Sequence, residues 1–321
     1  MKAIQVSQFG GPQVLQLCEL DRPTITSEQA LIEVELAGVN FIDIYHRLGK
    51  YPVKTPYIPG VEGVGRIAEL GSDAPSDLKV GDRVGWVMAI SGYAEYVVRP
   101  AETLIPIPDA MSSEDAVSLL LQGMTSHYLA RDSFEIKPGD TAIVHSAAGG
   151  VGLLLTQYIK SLSGKVIATA STQEKRELAI AAGADLSIGY EGFSKEVKEF
   201  TDGIGANVIY DGVGKDTFEE NLLVLARRGT LVIYGAASGQ VPPIEIMKIS
   251  PGSIFLTRPT LADFAVTREE LLWRAGEVFS AFKRGDMKVS IGGRYPLADA
   301  ASAHSDLEGR KTTGKLILKV R

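Results

Sequence analysis

The sequence predicts an α/β protein of two domains, one rich in β-strands and one built on a doubly wound parallel sheet. A chain of 321 residues exceeds the usual size of a single domain. Residues 1 to about 110 alternate apolar and polar side chains between Gly and Pro turns, as short strands do. From Gly139 onward, apolar strand-like runs alternate with helical stretches, which is the pattern of βαβ units.

The N-terminal region contains clear strand patterns, and no helical periodicity interrupts them before Ser112. Ser112 is followed by Ser-Glu-Asp and is typical of an N-cap, so a helix is predicted from there toward Leu129. The predicted strands of this region cover residues 30–37, 63–70, 82–87 and 93–98.

The second region begins with the apolar strand 141–145 and a glycine-rich loop. Further strands are predicted at 165–170, 208–210 and 231–234, and helices at 153–162, 173–182, 218–225 and 268–284. The tail from Lys315 to Val320 alternates like the N-terminal strands, so we expect it to return to the first domain.

Charge and composition exclude several classes of function. A net charge of −6, without a cluster of Lys and Arg, argues against nucleic-acid binding. The apolar runs are far shorter than a membrane span, and residues 1–6 alternate like a strand with no apolar stretch of a signal peptide behind them. Cys18 is the single cysteine, which suits a reducing compartment. We therefore expect a cytoplasmic protein with neither nucleic-acid nor membrane partners.

The loop between the first strand and helix of the second region resembles a dinucleotide fingerprint. Gly149 lets the backbone approach a pyrophosphate, and Gly152 lets the helix pack closely on the strand. The phosphates would then bind the N–H groups at the helix N-terminus. A tight turn without a ligand is the alternative, because Ala147 stands where the first glycine is usual. The predicted loop contacts are Ser146, Ala147, Gly149, Gly150, Val151 and Gly152, with Gly235 and Ser238 at a later strand end.

The end of the second βαβ strand favours NADPH over NADH. An acid there would bond the ribose 2′-hydroxyl of NADH, but this chain has Ser171 and Thr172, followed by Lys175. Hydroxyls and a cation suit a 2′-phosphate. Glu174 weakens the pattern, and Lys175 as a solvated helix residue is the alternative.

Several stretches are similar to the zinc-independent quinone oxidoreductases, the zeta-crystallin-like group of the medium-chain dehydrogenase/reductase superfamily. They are residues 38–45, 60–65, 123–128, 145–152, 256–261 and 309–315. The resemblance implies a GroES-like catalytic domain at 1–125 and 263–321, and a Rossmann domain at 126–262. Zinc members have Cys and His where Asn40 and Val61 stand here, so we expect no metal.

The resemblance also implies site residues. Asn40, Tyr45 and Tyr51 would line the acceptor pocket, with Arg258 at its edge. Thr125 would contact the nicotinamide side, Tyr190 the 2′-phosphate, and Lys315 would reach into the cofactor cleft. Structural roles remain the alternatives: Tyr51 packing a loop, Thr125 bonding its own helix, Tyr190 as a surface aromatic and Lys315 as a solvated lysine. Family members commonly form homodimers through Rossmann-sheet edges, and residues 253–257 are the candidate edge.

A metal-free site suits an acceptor that is already reactive. Quinones accept a hydride readily, so hydrogen bonds can replace a Lewis acid. We therefore predict an NADPH-dependent quinone oxidoreductase. One alternative is a reductase of activated C=C bonds in enones or enoyl thioesters, and another is a non-catalytic RNA-binding or crystallin-type protein. Asp43 is expected to be too acidic, unless buried, to serve as the proton source.

Overall fold

The computed structural model describes all 321 residues, which form two compact units. The first unit comprises Met1–Leu121, Ala265–Gly276 and Val289–Arg321, and the second comprises Gln122–Phe264 and Glu277–Lys288. The predicted domain boundaries lay at 125/126 and 262/263. The units divide a few residues away from both positions, and residues 277–288 group with the second unit.

A seven-stranded sheet forms the frame of the first unit. Its strand order is β14-β15-β3-β4-β5-β7, and β6 pairs with β3. All pairs are antiparallel except β14 with β15. Because β15 pairs with β3, the predicted return of the tail to the first domain is confirmed. A separate two-stranded antiparallel sheet pairs β1 (Lys2–Gln5) with β2 (Gln16–Glu19). The strands of the seven-stranded sheet are β3 (Gln29–Val39), β4 (Gly63–Leu70), β5 (Arg83–Trp86), β6 (Tyr96–Pro100), β7 (Ile105–Pro106), β14 (Ile291–Pro296) and β15 (Lys315–Lys319).

The prediction that no helix precedes Ser112 is wrong, because helix α1 spans Phe41–Arg47. Two turns are too short to show a helical period, and this helix is specified by its cap: the Asn40 N–H donates to Asp43 Oδ2 at 2.9 Å. The helix predicted from Ser112 is interrupted at Leu120. It forms α2 (Ser113–Leu119) and α3 (Leu121–Tyr128), and α3 continues into a π-helical turn, Leu129–Ser133.

The second unit is built on a six-stranded sheet in which every pair is parallel, with the order β10-β9-β8-β11-β12-β13. The predicted α/β class with a Rossmann-type sheet is thereby confirmed. Its strands are β8 (Thr141–Val144), β9 (Lys165–Thr169), β10 (Leu186–Ile188), β11 (Ala206–Asp211), β12 (Leu225–Ile233) and β13 (Phe255–Thr257); its helices are α4 (Gly150–Ser161), α5 (Gln173–Ala181), α6 (Phe193–Phe200) and α7 (Phe218–Leu222).

The strand order places the glycine-rich loop at a distinct position. After β8 the sheet grows through β9 on one side and through β11 on the other, so the loop that follows β8 lies where the order reverses. Open parallel sheets bind ligands at this switch point, outside the carboxyl ends of the strands. Ile143, Ile209 and Leu231 fill the core beneath, each fully buried.

Two further helices complete the chain, α8 (Arg268–Arg284) and α9 (Ala300–Glu308). The sequence predicted α8 with these bounds, but it predicted neither α9 nor α6 of the second unit. None of the helices combines the length and apolar composition that crossing a membrane requires.

Candidate active site

The loop after β8 ends in a helix N-terminus that no side chain caps. Gly149 is the N-cap of α4, has extended backbone angles and supplies no side-chain cap to the first turn. A Cβ at Gly149 would meet only the Ser146 carbonyl oxygen, at 3.2 Å, so the approach to the loop is open. The N–H groups of this turn are therefore left for an anion, and the residues present fit a dinucleotide pyrophosphate.

Gly152 is required for a different reason. A Cβ there would overlap the Ser146 carbonyl oxygen and lie 2.6 Å from the Ala147 Cα atom. Both are backbone atoms that cannot move aside cheaply. Gly152 thus brings α4 against the loop, as the sequence predicted, and Ala147 packs beneath with no exposed surface.

Tyr190 lies against this loop. Its hydroxyl accepts a 3.0 Å hydrogen bond from the Ser146 N–H and lies 3.2 Å from the Ser146 hydroxyl. The ring stacks on His145, with centroids 6.2 Å apart. His145 is fixed in turn by Thr169 and Asn221, each at 2.7 Å. Tyr190 is half-buried, so it is not the free surface aromatic that the sequence left as an alternative.

The end of β9 presents hydroxyls and cations. Thr172 caps α5 by accepting the Lys175 N–H at 3.3 Å, and Ser171 beside it is exposed. The Arg176 guanidinium donates to the Ala170 carbonyl at 3.4 Å, which adds a second cation at this strand end. This is the chemistry that binds a phosphate monoester.

The later strand ends form one tightly packed pair of loops. Gly214 and Gly239 are bridged as parallel neighbours. The Ser238 hydroxyl donates to the Val213 carbonyl at 2.8 Å. A Cβ at Gly235 would lie 2.6 Å from the Gly212 carbonyl oxygen. Gly235 and Ser238 therefore stand at the carboxyl edge of the sheet on a loop with little freedom to move.

In the first unit, Asn40 belongs to a buried polar cluster. Its side-chain amide donates to Glu62 Oε1 at 2.6 Å, and its side-chain oxygen accepts from the Lys315 ammonium at 3.3 Å. Lys315 also forms an ion pair with Glu62, and both side chains are almost completely buried. Glu62 Oε2 accepts the Leu121 N–H at 2.9 Å, which explains why the helix restarts at Leu121.

The Lys315 ammonium thus belongs to the Asn40 cluster of the first unit. The resemblance implied that Lys315 reaches into the cofactor cleft, and within the first unit its ammonium bonds to Glu62 and Asn40. A lysine at the start of a strand has no sequence signal for its counter-ion, because Glu62 is 253 residues away. The alternative of a solvated lysine is wrong, because the residue is 1% exposed.

Asp43 is fully buried beside Asn40. Its Oδ2 accepts the Asn40 N–H at 2.9 Å and the Tyr93 hydroxyl at 3.1 Å, and its Oδ1 has no partner. Burial, helped by the nearby Glu62 charge, raises the pKa of Asp43 to about 7, although both hydrogen bonds and Lys315 act in the opposite direction. The condition that the sequence analysis set for Asp43 as an acid, burial, is therefore met.

A hydrogen-bonded chain leads from Asp43 to the surface. The Tyr93 hydroxyl lies 3.1 Å from His304 Nε2, and His304 Nδ1 lies 3.3 Å from the Arg47 guanidinium. Because arginine can only donate, Nδ1 must accept, and the imidazole proton sits on Nε2. Burial and Arg47 lower the pKa of His304 to about 3, so the ring is neutral. Arg47 pairs with the half-exposed Glu308 at 2.7 Å.

The two predicted pocket tyrosines are neighbours. The rings of Tyr45 and Tyr51 are 5.2 Å apart, and the Tyr51 N–H donates to the Tyr45 carbonyl at 3.3 Å. Tyr45 is 9% exposed and Tyr51 is half-buried. Arg258, the fourth residue of the predicted acceptor set, belongs to the second unit, where it is exposed and donates to the Ile233 carbonyl at 3.1 Å. Thr125 is also in the second unit and is 9% exposed.

Sequence reasoning missed Glu62, Tyr93, His304 and Arg47 as part of this cluster. Glu62 stood inside a quoted family stretch, 60–65, and could have been found there. The contact between Arg47 and His304 joins residues 257 positions apart and has no local pattern. No group of three or more His, Cys, Asp or Glu side chains lies close enough to hold a metal ion. Metal-free chemistry stays a prediction.

Comparisons with known proteins cover the whole chain. Residues 150–278 match the family described as zinc-binding dehydrogenase, and residues 26–109 match the alcohol dehydrogenase GroES-like domain. A quinone oxidoreductase of Pseudomonas aeruginosa is 40% identical and is matched over 99% of both chains. A 2-haloacrylate reductase of Burkholderia is 35% identical over 98% of both.

The fold of this chain also matches that of a solved structure. A mycobacterial protein determined in complex with NADPH is 44% identical and covers all of both chains, with a TM-score of 0.97. These identities show that the chain has the fold of these proteins and belongs to their family.

Proposed function

Because the chain belongs to the quinone oxidoreductase family of the medium-chain dehydrogenases/reductases, we propose that it transfers a hydride from NADPH to a quinone-like acceptor. The observation that carries this proposal is the uncapped N-terminus of α4, which lies at the switch point of a parallel sheet and leaves its N–H groups for a pyrophosphate. NADPH supplies the hydride when bound.

The second unit binds the cofactor in this proposal. The first turn of α4 holds the pyrophosphate, and the cations and hydroxyls at the end of β9 hold the 2′-phosphate. The residues assigned to the cofactor are Thr125, Ser146, Ala147, Gly149, Gly150, Val151, Gly152, Ser171, Thr172, Lys175, Tyr190, Gly235 and Ser238. An enzyme for NADH would place a carboxylate where Ser171 is.

Asn40, Tyr45 and Tyr51 bind the acceptor in this proposal, and Arg258 assists them. Hydroxyl and amide donors stabilise the negative charge that develops on the acceptor oxygen as the hydride arrives. Glu62 and Lys315 fix both atoms of the Asn40 amide, so its orientation is set before the acceptor binds. We therefore assign Lys315 to positioning Asn40.

Steady-state kinetics of the purified chain test this function. We expect quinone reduction with NADPH, a much lower kcat/KM with NADH, and no loss of activity in EDTA. Tyr51→Phe and Tyr45→Phe should lower quinone turnover, and Tyr96→Phe, a tyrosine of β6, is the control. A chain that neither binds nor oxidises NADPH would refute the proposal. Chelator-sensitive activity would refute its metal-free part.

Reduction of an activated C=C bond is the second candidate. The 35% identity to a 2-haloacrylate reductase favours it, since that relative is matched over 98% of both chains. The same donors would stabilise an enolate oxygen. Comparing kcat/KM for a quinone, an enone and a 2-haloacrylate decides between the two acceptors.

We also propose that the protein forms a homodimer through the edge strand β13. We further propose that it resides in the cytoplasm. Phe255 on this strand is 60% exposed, and Ile246 and Met247 are 73% and 71% exposed. The outer edge of β13 has no strand beside it, and an open edge with exposed apolar neighbours needs cover. Sedimentation should show a dimer that Phe255→Lys dissociates. Val80→Lys, at an equally exposed apolar residue of the first unit, should leave it intact. A wild-type monomer would refute the assembly, and cell fractionation tests the location.

A further inference from the structure

The charges buried around Asp43 do not balance if Asp43 is ionised. Glu62 and Lys315 neutralise each other as a fully buried ion pair. Arg47 is committed to Glu308 at 2.7 Å and to His304 at 3.3 Å. Asp43 thus has no cation of its own, although it is 0% exposed.

The hydrogen bonds of Asp43 lead to the same conclusion. An ionised carboxylate presents about four acceptor positions. Here Oδ2 receives two neutral donors, the Asn40 N–H and the Tyr93 hydroxyl, and Oδ1 receives none. A buried charge with one bare oxygen is very costly. A neutral carboxylic acid with its proton on Oδ1 leaves one neutral donor without an acceptor, which costs much less.

We propose that Asp43 is a positioning residue that carries a proton in the active enzyme, and that the chain Arg47–His304–Tyr93 holds it beside Asn40. The proposal rests on the proposed function, because Asn40 is assigned there to the acceptor. All three members of the chain donate toward Asp43: Arg47 to His304, His304 to Tyr93, and Tyr93 to Oδ2. Helix α1 is therefore fastened at both ends, at Asp43 in its first turn and at Arg47 in its last.

The proton on Asp43 matters for the charge that the reaction creates. Hydride transfer places negative charge on the acceptor oxygen, and a neutral Asp43 leaves the Glu62–Lys315 pair without excess charge. An ionised Asp43 would add one negative charge next to Asn40 and oppose the reaction. The titratable and charged groups that face Asp43 are Glu62 just before β4, Lys315 of β15, Arg47 of α1, His304 of α9, and the loop residues Tyr57 and Tyr93.

The pH dependence of kcat/KM, measured in the wild type and in three variants, tests this role. We expect wild-type kcat/KM with NADPH and a quinone to fall about tenfold per pH unit above neutrality, as for loss of one required proton. Asp43→Asn cannot ionise, so its kcat/KM should not fall over that range, whatever its absolute value. Tyr93→Phe removes a bond that favours the charged form, so the decline should move to higher pH.

Tyr57→Phe is the matched control, because the Tyr57 hydroxyl is buried near Asp43 and has no hydrogen-bond partner. Its decline should coincide with that of the wild type. The proposal is overturned if kcat/KM of Asp43→Asn falls with pH as in the wild type. It is also overturned if kcat/KM of Tyr93→Phe falls at the same pH as in the wild type. Should Asp43→Asn fail to fold, Tyr93→Phe decides alone.

Infrared difference spectra between pH 6 and pH 9 separate this proposal from the proposed function. We expect the carbonyl band of a protonated, weakly hydrogen-bonded acid at the lower pH, absent in Asp43→Asn. A missing band in the wild type overturns the proposal even if quinone activity is normal. The band with no NADPH-dependent activity would instead defeat the proposed function.

Discussion

The side-chain amide of Asn40 donates a 2.6 Å hydrogen bond to Glu62 Oε1, 22 residues further along the chain. The Lys315 ammonium bonds to the same carboxylate oxygen and to the Asn40 side-chain oxygen. One buried acid therefore sets both the direction of the Asn40 amide and the position of the cation beside it. We expect both the stability of the first unit and the activity of the enzyme to depend on this acid.

Replacing Glu62 by Gln should destabilise the protein strongly. The variant leaves the Lys315 ammonium buried without a counter-charge, and removal of one partner of such a pair costs about 3–5 kcal/mol. Glu62→Gln combined with Lys315→Met removes both charges and should recover a large part of the loss. Urea unfolding measures both free energies.

The control is Glu114→Gln, which breaks the exposed pair with Arg294 at 2.7 Å and should cost less than about 1 kcal/mol. Equal losses in Glu62→Gln and Glu114→Gln would contradict the prediction.

Two glycines of the phosphate loop should separate cofactor binding from folding. Gly149→Ala meets only the Ser146 carbonyl at 3.2 Å, so it should fold normally but weaken NADPH binding about tenfold or more, because the methyl group lies at the open end of the loop. Gly152→Ala drives its methyl group against the Ser146 carbonyl and the Ala147 Cα atom, so it should lower the melting temperature as well. Calorimetry and fluorescence titration give both quantities. The prediction fails if Gly149→Ala binds NADPH as tightly as the wild type.

Lys175 should contribute to the preference for NADPH. Loss of a charge-assisted bond to the 2′-phosphate costs about 1.5–3 kcal/mol, so Lys175→Ala should raise the KM for NADPH at least tenfold. The KM for NADH should hardly change, because NADH lacks that phosphate. Ser171→Asp should shift the preference further toward NADH by repelling the phosphate. Lys195→Ala on α6, where the lysine is exposed, is the control. A parallel rise in both KM values would assign Lys175 to a structural role.

The stability of the protein should fall between about pH 4 and pH 7 because of Asp43. Burial raises its pKa from 3.8 to about 7, so the folded state holds a proton that the unfolded chain releases. This contribution is fully present below pH 3.8 and is lost as the pH rises toward 7. At about 1.4 kcal/mol per pKa unit, the loss amounts to roughly 4 kcal/mol.

Asp43→Asn should abolish that contribution. The free energy of unfolding of the variant, measured relative to that of the wild type, should therefore increase as the pH rises. Urea unfolding at pH 4, 5.5 and 7 gives the difference. Asp73→Asn is the control, because Asp73 is exposed and its neighbouring serine hydroxyls lower its pKa. A difference between Asp43→Asn and wild type that does not vary with pH would show that Asp43 is already ionised in the folded protein.

Local signals were sufficient for most of the second unit, although helix α6 was not predicted. Apolar strands, amphipathic helices and the glycines at 149 and 152 are specified by residues close together in the sequence, so the parallel sheet and the loop could be predicted. The same holds for helix 268–284, which the two units share. The hydroxyls and cations that follow β9 could also be predicted from the sequence, because a βαβ unit fixes where the end of its second strand must lie. The seven-residue helix α1 was missed because its cap, rather than a periodicity, specifies it.

What the sequence by itself determined, then, is the α/β class, most elements of the parallel-sheet unit, the glycine-rich turn and the absence of Cys and His at 40 and 61. The tertiary structure alone decided which polar groups share the buried space around Asp43. Lys315 meets Glu62, and Arg47 meets His304, across more than 250 residues, and no local pattern encodes such pairs. The protonation of Asp43 is decided there too, because a pKa depends on burial and on neighbouring charges, and both exist only once the chain has folded.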